Sequence, residues 1–267
     1  MQNNSMCIHK KKLSIGILTQ NEERRIANCI HSASFADQII VIDSGSDDQT
    51  CDIAKLLGAE VYIYSNWEGF AVQRNRLLSH ACCEYIFFLD ADEEITPELQ
   101  KEIEAVVASG RDEIWEVLWN QVAFGRPLSL MKSTGGIQRM FRRQSIQKYS
   151  GLVHEKADMC HLNIPVRTFN NRLMHYSRDS VYGSLNKLAQ YTQLGAAKRA
   201  LVGKRGGLLR GVVSGMAVFT RLYFFRRGFL CGAEGFLFCF LVALECFFRY
   251  VALKYDTDLI IKTKTRA

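Results

Sequence analysis

Proline is scarce, three in 267 residues, while 48% of the chain is hydrophobic, so neither a collagen-like repeat nor a low-complexity disordered composition fits. No internal repeat is visible, and no Cys-x-x-Cys pair occurs. The nine cysteines are odd in number and two of them, Cys82 and Cys83, are adjacent. That pattern suits reduced intracellular thiols packed as small apolar groups better than a disulfide framework or a zinc cluster. The opening residues 1–12 are polar and end in three lysines. They lack the apolar core and small-residue cleavage site of a secretory leader, so export is not expected.

What is present is an uneven distribution of charge. Residues 1–125 hold 10 Lys and Arg against 20 Asp and Glu, whereas residues 126–267 hold 24 against 7. A basic half can face nucleic acid, anionic lipid or a phosphorylated acceptor. No helix-turn-helix, zinc-finger or RNP-type pattern accompanies the cations, which are interleaved with long apolar runs. Nucleic acid is therefore not an expected partner.

The acidic half alternates short apolar runs with amphipathic stretches, which predicts α/β units building a mostly parallel sheet. Strands are expected at 13–18, 38–42, 60–64 and 85–89, and helices at 22–34, 48–57 and 70–82. A further helix begins with Thr96 as N-cap and Pro97 in its first turn. Beyond these, 114–124 and 135–142 read as strands and 181–201 as a helix. Ligands of open α/β sheets sit at the carboxyl ends of the strands, and the polar clusters fall there. Thr19-Gln20-Asn21-Glu22 follows the first strand, Asp43-Ser44-Gly45-Ser46-Asp47 the second, and Asp90-Ala91-Asp92 the fourth.

Two carboxylates at Asp-x-Asp spacing on a strand end offer hard oxygen ligands to Mg²⁺ or Mn²⁺, which needs few protein ligands when a diphosphate completes its shell. The same spacing also occurs in solvated acidic clusters at helix starts. Asp43 stands where an acid accepts hydrogen bonds from a base or ribose, beside a turn that Gly45 permits. Arg74, in Gln73-Arg74-Asn75, is placed on a helix where it can meet phosphate charge.

Together, Thr19-Gln20-Asn21-Glu22-Glu23, Asp43-Ser44-Gly45-Ser46-Asp47-Asp48-Gln49-Thr50, Gly69-Phe70-Ala71-Val72-Gln73-Arg74-Asn75 and Leu89-Asp90-Ala91-Asp92-Glu93 resemble glycosyltransferase family 2 in content, order and spacing. The resemblance implies a GT-A fold, a nucleotide-sugar donor, a divalent cation and inversion at the anomeric carbon. It implies donor contacts from Thr19, Asn21, Glu22, Asp43, Gly45, Arg74, Asn75, Asp90 and Ala91, with Asp92 and Asp90 at the metal. The stretches Tyr149-Ser150-Gly151-Leu152-Val153-His154-Glu155 and His175-Tyr176-Ser177 look like the lipopolysaccharide inner-core subfamily, which includes β-1,4-glucosyltransferases acting on heptose. That likeness implies UDP-glucose as donor and a lipid-anchored saccharide as acceptor. A polyprenyl-phosphate glycosyltransferase would share the donor half.

Inverting transfer onto a hydroxyl requires a base, and Glu155 is the first candidate, with Asp92 among its acidic rivals. His154 is a candidate metal or phosphate contact. Arg139 and Arg142 are candidates for gripping phosphates, and His175 for the acceptor.

The tail changes character. Residues 229–248 are about long enough to cross a bilayer but contain Glu234 and Glu245, with Arg249 just beyond. Each charge at mid-span is unfavourable by ~2.5–3.5 kcal/mol. On a helix all three share one narrow face. This suits a helix lying in an interface, or one with its charged stripe on protein and its apolar face on lipid; a buried hairpin in a soluble dimer is the alternative. The expected organisation is a nucleotide-sugar half at 1–125, an acceptor half at 126–202 and a basic, apolar helical region at 203–267. Its expected place is the cytoplasmic face of the bacterial inner membrane, peripheral or monotopic.

Overall fold

The computed structural model describes residues 12–133, 135–151, 156–161 and 163–256. Glu155 and His154 lie outside the described residues. Two compact units divide the chain, one of residues 1–117 with 137–173, the other of 118–136 with 174–267.

The first unit starts with β1 (Leu13–Thr19), α1 (Ile26–Ser32), β2 (Gln38–Asp43), α2 (Thr50–Leu56), β3 (Glu60–Ile63), α3 (Phe70–His80) and β4 (Tyr85–Asp90). The order β3-β2-β1-β4 is parallel throughout, as expected of apolar strands joined by amphipathic crossovers. Beyond β4 the sheet turns antiparallel. After the two-residue β5 (Glu93–Glu94) and α4 (Pro97–Ser109) come β6 (Ile114–Ala123), β7 (Arg126–Pro127) and β8 (Ile137–Arg142), and β8 pairs antiparallel with both β4 and β6. The full order is β3-β2-β1-β4-β8-β6-β11-β5, where β11 is Val166–Arg178. A separate hairpin joins β9 (Ile146–Ser150) to β10 (Lys156–Met159).

The strands β1, β2 and β4 are buried on both faces while β3 forms a partly exposed edge, and Ile40, Ile42, Ile86 and Phe88 pack with Leu77 and Leu78 of α3, Phe141 of β8 and Tyr149 of β9. Thr96 caps α4 as its sequence predicts, accepting from the Leu99 amide at 3.2 Å, and Gly110 closes the helix in a left-handed conformation. Helix α1 starts four residues later than its periodicity predicts. The amides of Glu22 and Glu23 are taken by Thr50 Oγ1 and Asp48 Oδ2 instead, so a neighbouring loop has claimed the first turn.

The second unit holds the distal part of β6, which turns into β7 through Phe124 and Gly125, both at positive φ. It continues with α5 (Val181–Leu201), α6 (Leu208–Thr220), a π-type turn at 221–225 and α7 (Gly232–Tyr255). The segments Leu208–Phe225 and Gly228–Tyr255 are long and apolar enough to cross a membrane by length and composition. The charged stripe of α7 meets protein. Glu245 pairs with Arg178 of β11 at 2.5 Å, Glu234 lies 3.6 Å from Arg126, and Arg249 packs where Gly195 of α5 leaves room.

Helix α6 approaches α7 through two glycines four residues apart. A Cβ on Gly211 would stand 2.8 Å from the Phe247 carbonyl oxygen, and one on Gly215 would stand 3.1 Å from that of Ala243. Gly211→Val is therefore expected to destabilise the protein by about 1–3 kcal/mol through overpacking against backbone, read as a lowered midpoint in denaturant unfolding. An unchanged midpoint would show that the helices do not pack this closely.

Candidate active site

Register assembles the site. Thr19 stands opposite Asp43 and Leu18 opposite Asp90, so three adjacent parallel strands deliver polar residues to one sheet edge, where side chains meet loops rather than helices.

The Asp43 carboxylate is fully buried and organises the turn after β2. Its Oδ1 accepts from the amides of Gly45 and Ser46 at 2.9 and 2.8 Å, and its Oδ2 accepts from the Ser46 hydroxyl. Gly45 has φ +91°, and a Cβ there would press on Ser65 at 3.2 Å. The loops after β1 and β2 interlock, with the Asn21 amide donating to Ser46 Oγ (2.8 Å) and the Asp47 amide to Asn21 Oδ1 (3.0 Å). Asn21 reaches this geometry at φ +54°, a conformation Asn tolerates better than most residues. Gln73 of α3 ties in Ser44 at 2.9 Å. Thr19 Oγ1 is buried with no partner among the described residues, a hydroxyl at the strand end with bonding capacity to spare. Burial, and then the charge of Asp43, push the Cys51 thiol up to about 11, which keeps it protonated.

The end of β4 carries an ion network. Arg139 of β8 is 0% exposed, and its Nη2 donates to Asp90 Oδ2 and Glu93 Oε1, each at 2.6 Å. Glu93, also 0% exposed, accepts the Asp90 amide on its other oxygen at 2.9 Å. Burial pulls the Arg139 pKa down, but Asp90 and Glu93 more than offset this, so it lies above the ordinary arginine value. The second Asp90 oxygen faces Arg74 Nη2 at 3.6 Å. Arg74 lies over the Phe88 and Tyr149 rings, 5.4 and 5.7 Å from their centroids. Asn75 fixes that platform through two bonds to the Tyr149 backbone, at 2.6 and 2.9 Å. The Ala91 amide donates to the Leu18 carbonyl, which holds the turn that presents Asp92. Burial, followed by the nearby acids Glu93, Asp92, Asp90 and Glu94, raises the Cys29 thiol well above its ordinary value.

Asp43, Arg74, Asn75, Asp90 and Asp92 thus belong to one strand-end region. Arg139 reaches the same place from inside, as a partner of carboxylates rather than as an open phosphate grip, because β8 buries it. Arg142 is not brought there. It pairs in register with Tyr85 at the start of β4 and holds Glu84 at 2.6 Å, the opposite strand end. His175 belongs to the second unit, beside Trp119 and Gln121.

Among the described residues no group of three His, Cys, Asp or Glu side chains is arranged to hold a metal. Asp90 is engaged by two guanidiniums, and Asp92, partly exposed at the same turn, places a second hard oxygen donor of the kind a divalent cation takes at this strand end. The donor set suits an ion whose remaining ligands come from a diphosphate and water, not one caged by protein alone.

A model of the family described as "Glycosyl transferase family 2" matches residues 14–177, a span that contains every residue named in this strand-end region. The chain belongs to glycosyltransferase family 2. It is accordingly a glycosyltransferase with a GT-A-like α/β fold and C-terminal apolar helices. Over 271 residues it is 30% identical to an uncharacterized glycosyltransferase of Rickettsia typhi, covering 95% of this chain and 89% of that one. It is 26% identical over 266 residues to the lipopolysaccharide core biosynthesis glycosyltransferase LpsC of Rhizobium meliloti, covering 92% and 96%. Among solved structures, S. aureus TarS 1–349 superposes with a TM-score of 0.48 at 16% identity, covering 96% of this chain and 87% of that one.

Proposed function

We propose that this family 2 enzyme transfers a hexose, glucose from UDP-glucose, onto a hydroxyl of a lipid-anchored glycan such as a lipopolysaccharide inner-core heptose, with inversion and with Mg²⁺ or Mn²⁺. The observation that carries the proposal is the strand-end assembly of Asp43, Arg74, Asp90 and Asp92. It supplies acids for the nucleoside, a cation for phosphate and a hard ligand for a metal within one loop cluster. The name of the Rhizobium relative supports the acceptor class.

In this reading Asp43 and its turn receive the base and ribose, Asp90 the ribose, and Arg74 the diphosphate. Asp92 would hold the divalent cation, which would supply positive charge to offset that of the departing diphosphate. The acceptor oxygen forms its bond to the anomeric carbon from the face opposite the leaving group. The carbon–oxygen bond to UDP breaks, its electron pair leaves with UDP, and Glu155 takes the hydroxyl proton. A screen of nucleotide sugars with Mn²⁺ or Mg²⁺ tests the donor. One UDP-sugar should raise the thermal midpoint only when the cation is present, and no cation-dependent stabilisation by any donor would overturn the reading. Glu155→Gln should lower kcat by about 10²- to 10⁴-fold with donor affinity unchanged. Turnover left nearly intact would instead favour a phosphate acceptor, such as a polyprenyl phosphate, which needs no base.

The site of action proposed is the cytoplasmic face of the bacterial inner membrane. On α6 and the turn after it Leu209 is 77% exposed, Met216 65% and Phe225 74%, while the acids of α7 are paired with arginines of the same unit. An apolar surface with its charges turned inward, flanked by Arg226 and Arg227, has the make-up of a surface that meets anionic lipid.

A further inference from the structure

Strand alternation in the second unit places Trp119 and Gln121 of β6 on one sheet face, and His175 and Ser177 of β11 on one face of the neighbouring strand. The Trp119 and His175 rings lie 5.1 Å apart at 34°. The Gln121 amide nitrogen is 3.1 Å from His175 Nδ1. Gln121 Oε1 and Ser177 Oγ are both buried with no hydrogen-bond partner among the described residues. Turning the amide over only exchanges its ends, so one stays unsatisfied either way. Buried polar atoms without partners are uncommon and call for an occupant.

A cavity of about 50 Å³ opens at this point, lined by Trp119, Gln121, Met131, Lys132, Ser133 and Phe238. It holds one phosphate-sized group, or one or two waters at about 30 Å³ each. A sugar ring is too large for it and would lie across the mouth. The lining is pinned rather than loose. The Lys132 amide donates to the Arg226 carbonyl at 2.9 Å, and Arg226 Nη1 donates to the Ser133 carbonyl. Phe238 belongs to α7 and packs against the buried cluster of Ala123, Leu128, Met131, Leu222 and Cys239, so the cavity is backed by apolar packing within a single unit.

We infer that this pocket is a subsite for an anionic saccharide, the head of the lipid-anchored acceptor; the inference rests on the acceptor class proposed above. The indole offers an apolar plane to the C–H face of a sugar. Gln121, with its amide turned so that the nitrogen faces the cavity, donates to the anionic substituent that enters it. Lys132 meets a phosphate or carboxylate substituent.

The chain has three tryptophans, so Trp67→Phe with Trp115→Phe leaves Trp119 as the reporter in the full-length protein. Three probes are titrated: a phosphorylated heptose oligosaccharide released from rough lipopolysaccharide, its dephosphorylated counterpart, and inorganic phosphate. The expected result is a saturable change in Trp119 emission with the phosphorylated oligosaccharide. Its affinity should fall at least tenfold on dephosphorylation or in Lys132→Ala, and several-fold in Gln121→Leu, with UDP-sugar binding unchanged in each variant. Phosphate alone should bind more weakly than the oligosaccharide. The inference is overturned if Trp119 emission does not respond, if phosphate alone accounts for the whole response, or if Lys132→Ala and Gln121→Leu bind as the parent does. Saccharide binding at Trp119 in an enzyme that uses no UDP-sugar would uphold the pocket while the donor reading fails. UDP-sugar transfer with acceptor KM unchanged in both variants would do the reverse.

Discussion

Replacing Arg139 by methionine is expected to destabilise the protein by about 3–5 kcal/mol, because it strips two carboxylates of a buried cation. Arg139 and Glu93 are both fully buried, and Asp90 is held at 2.6 Å on the same nitrogen. The size of the loss comes less from the pair's own attraction than from the charge left behind. Its pH dependence has a definite sign. Without the guanidinium, a buried acid binds its proton more tightly folded than unfolded, so its folded pKa is raised. Stability is then recovered below the unfolded carboxylate pKa and lost as pH rises through the folded one. The deficit should be largest near neutral pH and shrink in acid, and Arg139→Met with Glu93→Gln should be less damaged than the two single changes combined. Urea titrations of the four proteins at several pH values measure this. A loss under about 1 kcal/mol, flat with pH, would mean that Arg139 does not hold this pair.

Asp92→Asn is expected to act on the chemistry instead. Asp92 is partly exposed at the turn after β4, and asparagine keeps its size and its hydrogen-bonding capacity, so stability should change by no more than about 1 kcal/mol. Turnover should fall by about 10²- to 10³-fold, the scale of losing one preorganised electrostatic contact to a leaving group. Calorimetry with a UDP-sugar should show cation-dependent binding in the parent and none in the variant. Survival of cation-dependent binding in both Asp92→Asn and Asp90→Asn would remove the metal from this strand end. The contrast between Arg139 and Asp92, one lost as stability and the other as rate, separates holding the site from running it.

Most of the parallel half was legible because its strands are continuous apolar runs ended by polar clusters, and local pattern suffices for that. The long strand β11 was not. Its sequence, Val166-Arg167-Thr168-Phe169-Asn170-Asn171-Arg172-Leu173-Met174-His175-Tyr176-Ser177-Arg178, has no clean two-residue period, and its place comes from pairing with strands far away in sequence. The inward role of Arg139 was readable in principle. Alternation from Phe141 puts residues 139 and 141 on one face of β8, and a strand that buries Phe141 buries the arginine too. A buried guanidinium must then find acids. That Asp43 also organises its own turn was not readable, since this depends on a loop conformation that the Ser and Gly content permits but does not dictate.

The α6–α7 hairpin is joined where Gly211 and Gly215 let one backbone rest almost directly on another. Contact of that kind draws on close van der Waals fit and needs no expulsion of water. Two helices joined in this way can pass from an aqueous to a hydrocarbon environment without letting go of each other, so that the membrane docking proposed above would not require the fold to come apart first.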